Sequence, residues 1–92
     1  MRKIEFTSVF KKDFKRESRG RYRQIIKTEF ESIVGMLAND ETLPARCRDH
    51  ALVGEWKDFR DCHVRPDLVS IYRKTANKVQ LVRLGSHSQL SL

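Results

Sequence analysis

The stretch EWKDFRDCHVRPDLVSIYRKTANKVQLVRLG, residues 55–85, decides the fold. It contains three runs that read as strands: EWKDFRDCHV (55–64), DLVSIYRKT (67–75) and KVQLVRLG (78–85). The connections VRPD and ANK are too short for a crossover, so consecutive strands must run in opposite directions. The stretch therefore predicts a three-stranded antiparallel meander.

The N-terminal part predicts one more strand and two helices. RKIEF (2–6) alternates like a strand, and Thr7 or Ser8 can cap a helix that Gly20 ends. A second helix is expected from near Arg21 to Asn39. Its apolar stripe, Tyr22, Ile25, Ile26, Phe30, Ile33, Val34 and Leu37, has helical spacing.

Between the helices and the meander, ETLPARCRDHALVG (41–54) has no clean period and reads as a loop. The order of elements is then β-α-α-β-β-β. The prediction is an α+β fold in which two helices pack on one face of a small antiparallel sheet, with residues 1–92 forming one domain.

The chain is strongly basic, with 19 Lys and Arg against 12 Asp and Glu and a net charge of +7. Most of the excess lies in residues 1–30, so a polyanion such as nucleic acid is the favoured partner. No secretory signal or membrane-spanning run is visible in the sequence. We therefore expect a cytoplasmic protein without a membrane partner, in which Cys47 and Cys62 are free thiols.

All three histidines lie outside the predicted helices. His50 lies in the loop, His63 at the end of a strand, and His87 just past another strand. Side chains at strand ends and turns can converge on one cleft, and histidine exchanges protons near neutral pH. A common proton-transfer site is therefore a reasonable expectation.

The position of Asp67 relative to His63 depends on the turn between them. A three-residue loop, 64–66, places both side chains on one face, with Asp61 on the same side. A two-residue loop, 65–66, places them on opposite faces. The sequence leaves both alternatives open.

Cys47 and His50 have a spacing that is found among metal ligands. Cys62 and His63 are neighbours on a predicted strand, so their side chains point to opposite faces and do not readily share an ion. We expect no metal and no cofactor, and we expect Cys62 to pack in the core. Arg83, four residues before His87, is the candidate cation for a phosphate.

Basic charge together with histidines and carboxylates suits metal-free cleavage of RNA, in which a base activates the ribose 2′-OH and an acid protonates the departing 5′-oxygen. Simple binding of nucleic acid without cleavage remains the alternative at this point.

The segment DHALVGEWKDFRDCHVRPDLVSIYRK (49–74), followed by VRLGSHSQL (82–90), resembles the YafQ-like branch of the RelE superfamily. The resemblance lies in an ordered series: DH, then L-x-G-x-W-x-x-F-R-D-x-H, then PD and a tyrosine, then R-x-G-S-H. These proteins are toxins of bacterial type II toxin–antitoxin systems. The resemblance implies a RelE-like, microbial-ribonuclease-type fold.

The resemblance also implies activity and partners. Members cleave mRNA in the A site of the 70S ribosome as endoribonucleases, or mRNA interferases, and thereby halt translation. A cognate antitoxin neutralises them, and the antitoxin complex binds operator DNA.

Site residues carry over from the same motifs. His50, His63, Asp67 and His87 are the expected catalytic residues, with His87 as general acid and the base left open among the other three. Two further residues match family positions. Asp61 is expected to orient a histidine, and Arg83 to bind the phosphate of the RNA.

The chain departs from the family at two places. It ends in QLSL without the C-terminal aromatic of many relatives, and Leu68 stands where some relatives have tryptophan. Base stacking is then expected to be weaker, or to come from Trp56, Phe59 or Tyr72. Two alternatives to the enzyme remain: a non-catalytic RNA- or ribosome-binding module, and a corepressor that acts with an antitoxin on operator DNA.

Overall fold

The computed structural model describes residues 1–92 and has one five-stranded sheet in the order β1-β5-β4-β3-β2. The α+β class and the antiparallel meander of β3, β4 and β5 are confirmed. The strands are β1 Lys3–Phe6, β2 His50–Ala51, β3 Arg60–Arg65, β4 Leu68–Lys74 and β5 Lys78–Gly85.

Along the chain, two helices lie between β1 and the other four strands. Helix α1 spans Ser8–Glu17, and Thr7 caps it by accepting a hydrogen bond from the Phe10 N–H at 2.9 Å. Helix α2 is continuous but changes pitch: α-helix Arg23–Ile25, π-helix Ile26–Phe30, then α-helix Glu31–Ala38. No helix has the length and apolar character needed to cross a bilayer.

The structure departs from the sequence prediction in its details. Strand β1 pairs parallel to β5, so the sheet is mixed and not wholly antiparallel. The predicted loop contains a turn of 3-10 helix, Ala45–Cys47, and strand β2. Gly54–Trp56 also form a 3-10 turn, which delays the start of β3 to Arg60.

The sheet separates two apolar clusters of unequal size. The larger cluster joins the helices to one face of the sheet and includes Phe10, Phe30, Cys62 and Tyr72. The smaller cluster lies on the opposite face, because side chains alternate along each strand. Its members are Val69, Ile71 and Leu90, with Leu52, Trp56, Phe59 and Val82 packed against them.

Helix α1 closes the edge of β5 beyond the point where β1 ends. The Thr7 hydroxyl donates to the Val82 carbonyl at 2.8 Å, and the Arg16 guanidinium donates to the Leu84 carbonyl at 2.8 Å. The Leu84 N–H donates to the Asp13 carboxylate at 3.1 Å. Side chains therefore satisfy backbone groups that a neighbouring strand would otherwise satisfy.

Asp13 is the charged centre of this contact and is only 2% exposed. Burial by itself would raise its pKa. However, Arg83 donates to the carboxylate at 2.7 Å, and the Leu84 N–H and Arg16 add further hydrogen bonds. These partners hold the pKa of Asp13 below its ordinary value of 3.8. The ionised carboxylate therefore stabilises the fold above about pH 3.8, and this contribution is lost as the pH falls through the lower folded-state pKa.

We expect Asp13→Asn to lower the free energy of unfolding by about 3 kcal/mol at pH 7, because Arg83 loses a buried charged partner. The difference from the wild type should shrink as the pH falls below about 3.8 and through the lower folded-state pKa, because the wild-type carboxyl then becomes protonated too. Urea denaturation at several pH values measures both effects.

Asp40→Asn is the matched control for this experiment. Asp40 also pairs with two cations, Arg2 and Lys74, but its side chain is 65% exposed. Its loss should cost much less than the loss of Asp13. Equal costs for the two variants would contradict the role given to the buried carboxylate.

Candidate active site

The predicted catalytic residues converge on the sheet face that lies away from α1 and α2. In the strand register, His63 pairs with Val69 and Asp61 pairs with Ile71. Val69 and Ile71 belong to the smaller apolar cluster, so His63 and Asp61 share its side of the sheet.

Strand β2 brings His50 to this face. It has only two residues, and it pairs His50 directly with Asp61. The His50 Nδ1 lies 3.0 Å from an Asp61 carboxylate oxygen and 2.6 Å from the Arg48 carbonyl oxygen. Both neighbours are acceptors, so Nδ1 carries the proton of the neutral ring, and the lone pair lies on Nε2.

Asp61 is a buried carboxylate, 3% exposed, whose Oδ1 accepts no hydrogen bond of acceptable geometry. Burial raises its pKa, and the positive charge of His50, His63 or His87, when protonated, opposes that rise. An uncompensated negative charge in this position stabilises any positive charge that forms on the surrounding imidazoles.

The turn between β3 and β4 consists of Pro66 and Asp67, which matches neither alternative considered from the sequence. A register shift after His63 lets Arg65 pair with Leu68 and leaves Asp67 outside both strands. Asp67 therefore reaches toward the end of β5 and does not pair with His63.

Asp67 binds His87 twice. One carboxylate oxygen accepts the His87 backbone N–H at 3.0 Å and lies 2.8 Å from the His87 Nδ1. The backbone hydrogen bond, followed by the ring contact, lowers the pKa of Asp67, which therefore stays ionised. The carboxylate fixes the ring so that Nε2 is the free nitrogen of His87.

The local fold after β5 supports His87. The residues after β5 form a short helix, His87–Leu90, in which Ser86 and Gln89 make a capping box. A Cβ at Gly85 would lie 2.8 Å from both the Gln89 amide oxygen and the Arg16 guanidinium, so these two side chains would have to shift to accommodate it. Leu90 is buried in the smaller apolar cluster and anchors the helix.

His63 lies beside His87, with ring centroids 5.1 Å apart and planes at 65°. Burial lowers the pKa of His63, and Asp61 opposes that shift. The nearby positive charges of His87, Arg48 and His50 lower the pKa further. These effects favour the neutral form of the His63 ring.

Three residues that the sequence analysis did not single out together, Asp49, Arg60 and Tyr72, anchor the loop that carries His50. The hydrogen bonds between them are partly buried. The Tyr72 hydroxyl donates to the Asp49 carboxylate, and Arg60 donates to the same oxygen at 3.1 Å. Burial and the Asp49 carboxylate raise the pKa of Tyr72. The only sequence signal for this anchor was the aspartate of the DH pair.

Two expectations about individual residues do not fit their positions. The Arg83 guanidinium is held by Asp13 on α1, so it is committed to the fold and not to the histidine cluster. Tyr72 is completely buried and has no surface on which a base could stack. Trp56 and Phe59 pack edge to face, with centroids 5.5 Å apart, and both are only half-buried.

Both cysteines are free and fully buried. Cys47 and Cys62 belong to the larger cluster, which lies on the helix side of the sheet. Burial raises the pKa of both thiols. No group of three or more His, Cys, Asp and Glu side chains has an arrangement that could hold a metal ion.

Comparison with known proteins gives the family. A family model described as "Bacterial toxin of type II toxin-antitoxin system, YafQ" matches residues 2–92. The mRNA interferase toxin YafQ of Escherichia coli K12 is 35% identical over 89 residues, which cover 97% of this chain and 95% of the relative.

Solved structures agree with this match. YafQ from E. coli BL21(DE3) superposes with a TM-score of 0.85 at 33% identity, covering 98% of each chain. The E. coli DinJ–YafQ toxin–antitoxin complex contains a chain with a TM-score of 0.83 at 34% identity, covering 97% of this chain and 96% of that one. The chain therefore belongs to the YafQ family, toxins of bacterial type II toxin–antitoxin systems.

Proposed function

We propose that this chain is an mRNA interferase that cleaves mRNA in the ribosomal A site by attack of a ribose 2′-OH on the adjacent phosphate. A relative with 35% identity is named an mRNA interferase, which supports an endoribonuclease. Such a protein acts where ribosomes translate, so we place it in the cytoplasm.

The observation that carries the proposal is a pair of imidazole–carboxylate contacts on one face of the sheet. His50 contacts Asp61 at 3.0 Å, and His87 contacts Asp67 at 2.8 Å. His63 lies against His87. Cleavage of this kind needs one base and one acid, and two separately held imidazoles can supply both.

We assign His50 as the base, which the sequence left open among three residues. Its Nε2 lone pair takes the proton of the 2′-OH, while Nδ1–H remains bound to the Arg48 carbonyl. The positive charge that then forms on the ring lies 3.0 Å from Asp61. A buried carboxylate stabilises that charge more strongly than an exposed one.

We assign His87 as the acid. As the 2′-oxygen bonds to phosphorus, the bond from phosphorus to the 5′-oxygen breaks, and a proton from the His87 Nε2 neutralises the departing oxygen. The products are a 2′,3′-cyclic phosphate and a 5′-hydroxyl. Asp67 positions the His87 ring through Nδ1. Its role is therefore to orient the acid, and it is not the base.

His63 has a different role in this scheme. Burial and nearby cations lower the pKa of His63, which favours its neutral form. A neutral imidazole beside the acid can hold the 2′-OH or a phosphate oxygen by a hydrogen bond.

Binding to the ribosome is supported by the charge on α1. Lys12, Lys15, Arg16 and Arg19 line one exposed concave surface. Arg16 is partly engaged by Asp13 and Glu17, whereas the side chains of the others make no ion pair. The unpaired cations of this surface attract the phosphates of ribosomal RNA.

We also propose a cognate antitoxin as partner, which the DinJ–YafQ complex of E. coli supports.

The chain has an apolar groove of about 550 Å³ between β1, α1 and α2. Phe6 is 51% exposed in it and Phe14 39%. Lys11, Lys27 and Glu31 are the charged residues that line this groove, so its charged lining is net positive and an amphipathic segment with acidic residues would fit it. The resulting complex would bind operator DNA through the antitoxin.

The first activity prediction concerns His87→Ala. Loss of the acid should slow mRNA cleavage by about 10²- to 10⁴-fold. The measurement is primer extension on a defined mRNA in a bacterial translation extract, with and without ribosomes. Ser88→Ala, one residue further along the same helix and exposed, is the control and should cleave normally.

The outcomes separate the alternatives. Undiminished cleavage by His87→Ala would remove the acid assignment. Translation blocked equally by both variants without any cut would favour a ribosome-binding module. A protein that leaves translation intact until it joins an antitoxin on DNA would be a corepressor.

The second activity prediction concerns Asp61→Asn. Removing the carboxylate charge should lower the single-turnover cleavage rate on the order of 10²-fold or more, because the imidazolium on His50 loses its stabilising partner. Affinity for mRNA-loaded ribosomes should stay unchanged. Asp58→Asn is the control, since Asp58 is exposed and has a positive φ that asparagine tolerates. A rate equal to that of the control would exclude Asp61 from the chemistry.

The third prediction concerns the apolar groove. Phe14→Glu should weaken binding of the cognate antitoxin by at least about tenfold, because it places a negative charge in an apolar contact. Val9→Glu adds the same charge to α1 at an exposed position outside the groove and should bind like the wild type. Isothermal titration measures both. Equal affinities would place the antitoxin elsewhere.

A further inference from the structure

A second concave site, distinct from the apolar groove, lies next to the histidine cluster. It has a volume of about 340 Å³. Three arginines line it, Arg46, Arg48 and Arg65, together with His63, Val64 and Pro66. No acidic side chain lines the site, so its charge is strongly positive.

The 3-10 turn before β2 presents two of these arginines. It buries Cys47 completely and leaves the residues on either side, Arg46 and Arg48, exposed. Arg48 adopts a left-handed conformation, with φ 48°, and its carbonyl is fixed by the His50 Nδ1 at 2.6 Å. The same backbone segment thus holds the base and turns a guanidinium toward His63.

The arginines retain free donors. Arg46 and Arg48 make no side-chain hydrogen bond or ion pair within the chain. Arg65 is held through Nε by Glu29 at 2.9 Å, which leaves both terminal nitrogens of its guanidinium available. Arginine forks match the oxygens of a phosphate better than a lysine does.

We infer that this cavity is a phosphate subsite, which holds a backbone phosphate of single-stranded RNA beside the scissile one. The inference rests on the proposed function. Of the catalytic histidines, only His63 lines the cavity, and His63 packs against His87, so a phosphate bound there lies next to the histidine cluster. The subsite supplies cations that Arg83, held by Asp13, does not.

The test measures binding without cleavage. The probe is a short single-stranded RNA with 2′-O-methyl groups, in which one phosphate at a time is replaced by an uncharged methylphosphonate. Wild-type protein should lose about tenfold in affinity when one particular phosphate is replaced. Arg46→Gln/Arg48→Gln should bind the unmodified RNA about tenfold more weakly and be insensitive to that replacement.

Salt dependence gives a second readout. Loss of one phosphate contact should reduce the slope of log Kd against log salt concentration by about 0.7. The matched control is Lys3→Gln/Lys78→Gln, which removes two charges from paired positions on β1 and β5, at the opposite edge of the sheet. It should keep the wild-type sensitivity to the replaced phosphate.

Two results would overturn the subsite: a wild-type protein whose affinity depends on no single phosphate, or an arginine variant that keeps the wild-type sensitivity and slope. Neither depends on cleavage. If ribosomal mRNA is cut normally while the subsite fails, the proposed function stands. If the subsite is found but no mRNA is cut, the proposed function fails by itself.

Discussion

The sheet face that carries the three histidines is organised around one buried carboxylate, Asp61. The three imidazoles lie near it, and one of its oxygens accepts no hydrogen bond. Such a group lowers the stability of the resting protein, because burial favours its uncharged form. Strand β2 and the hydrogen bonds among Asp49, Tyr72 and Arg60 nevertheless hold His50 against Asp61. The cost in the resting state becomes useful when a neighbouring ring gains a proton, since no rearrangement is then needed to stabilise the new charge.

Local sequence pattern was enough to predict the meander and the helices. The two connections within residues 64–78 are too short for anything but antiparallel neighbours, and the stripe along α2 has a clear helical period. The ends of β3 and β5 therefore had to lie near each other. The sequence alone therefore predicts that His63 and His87, which are far apart in the chain, lie in one cleft.

The remaining features depend on contacts that no local pattern encodes. Arg83 looks like a free cation beside His87, yet its partner Asp13 lies 70 residues away in the chain. The partner of Asp67 was equally hidden, because a register shift of a single residue moved the turn to Pro66 and Asp67. Tyr72 looked like a stacking surface until packing placed it under the loop of His50.

The closure of β5 by α1 has a consequence for association between copies of the chain. An unpaired strand edge is a template for further strands, and proteins that leave long edges open tend to aggregate. Here the side chains of Thr7, Asp13 and Arg16 bind the backbone of β5 at Val82 and Leu84, beyond the end of β1. The outer edges of the sheet are then formed by four residues of β1, two of β2 and the end of β3 that β2 does not cover. Only short stretches of strand edge are therefore left to pair with a strand from another copy of the chain.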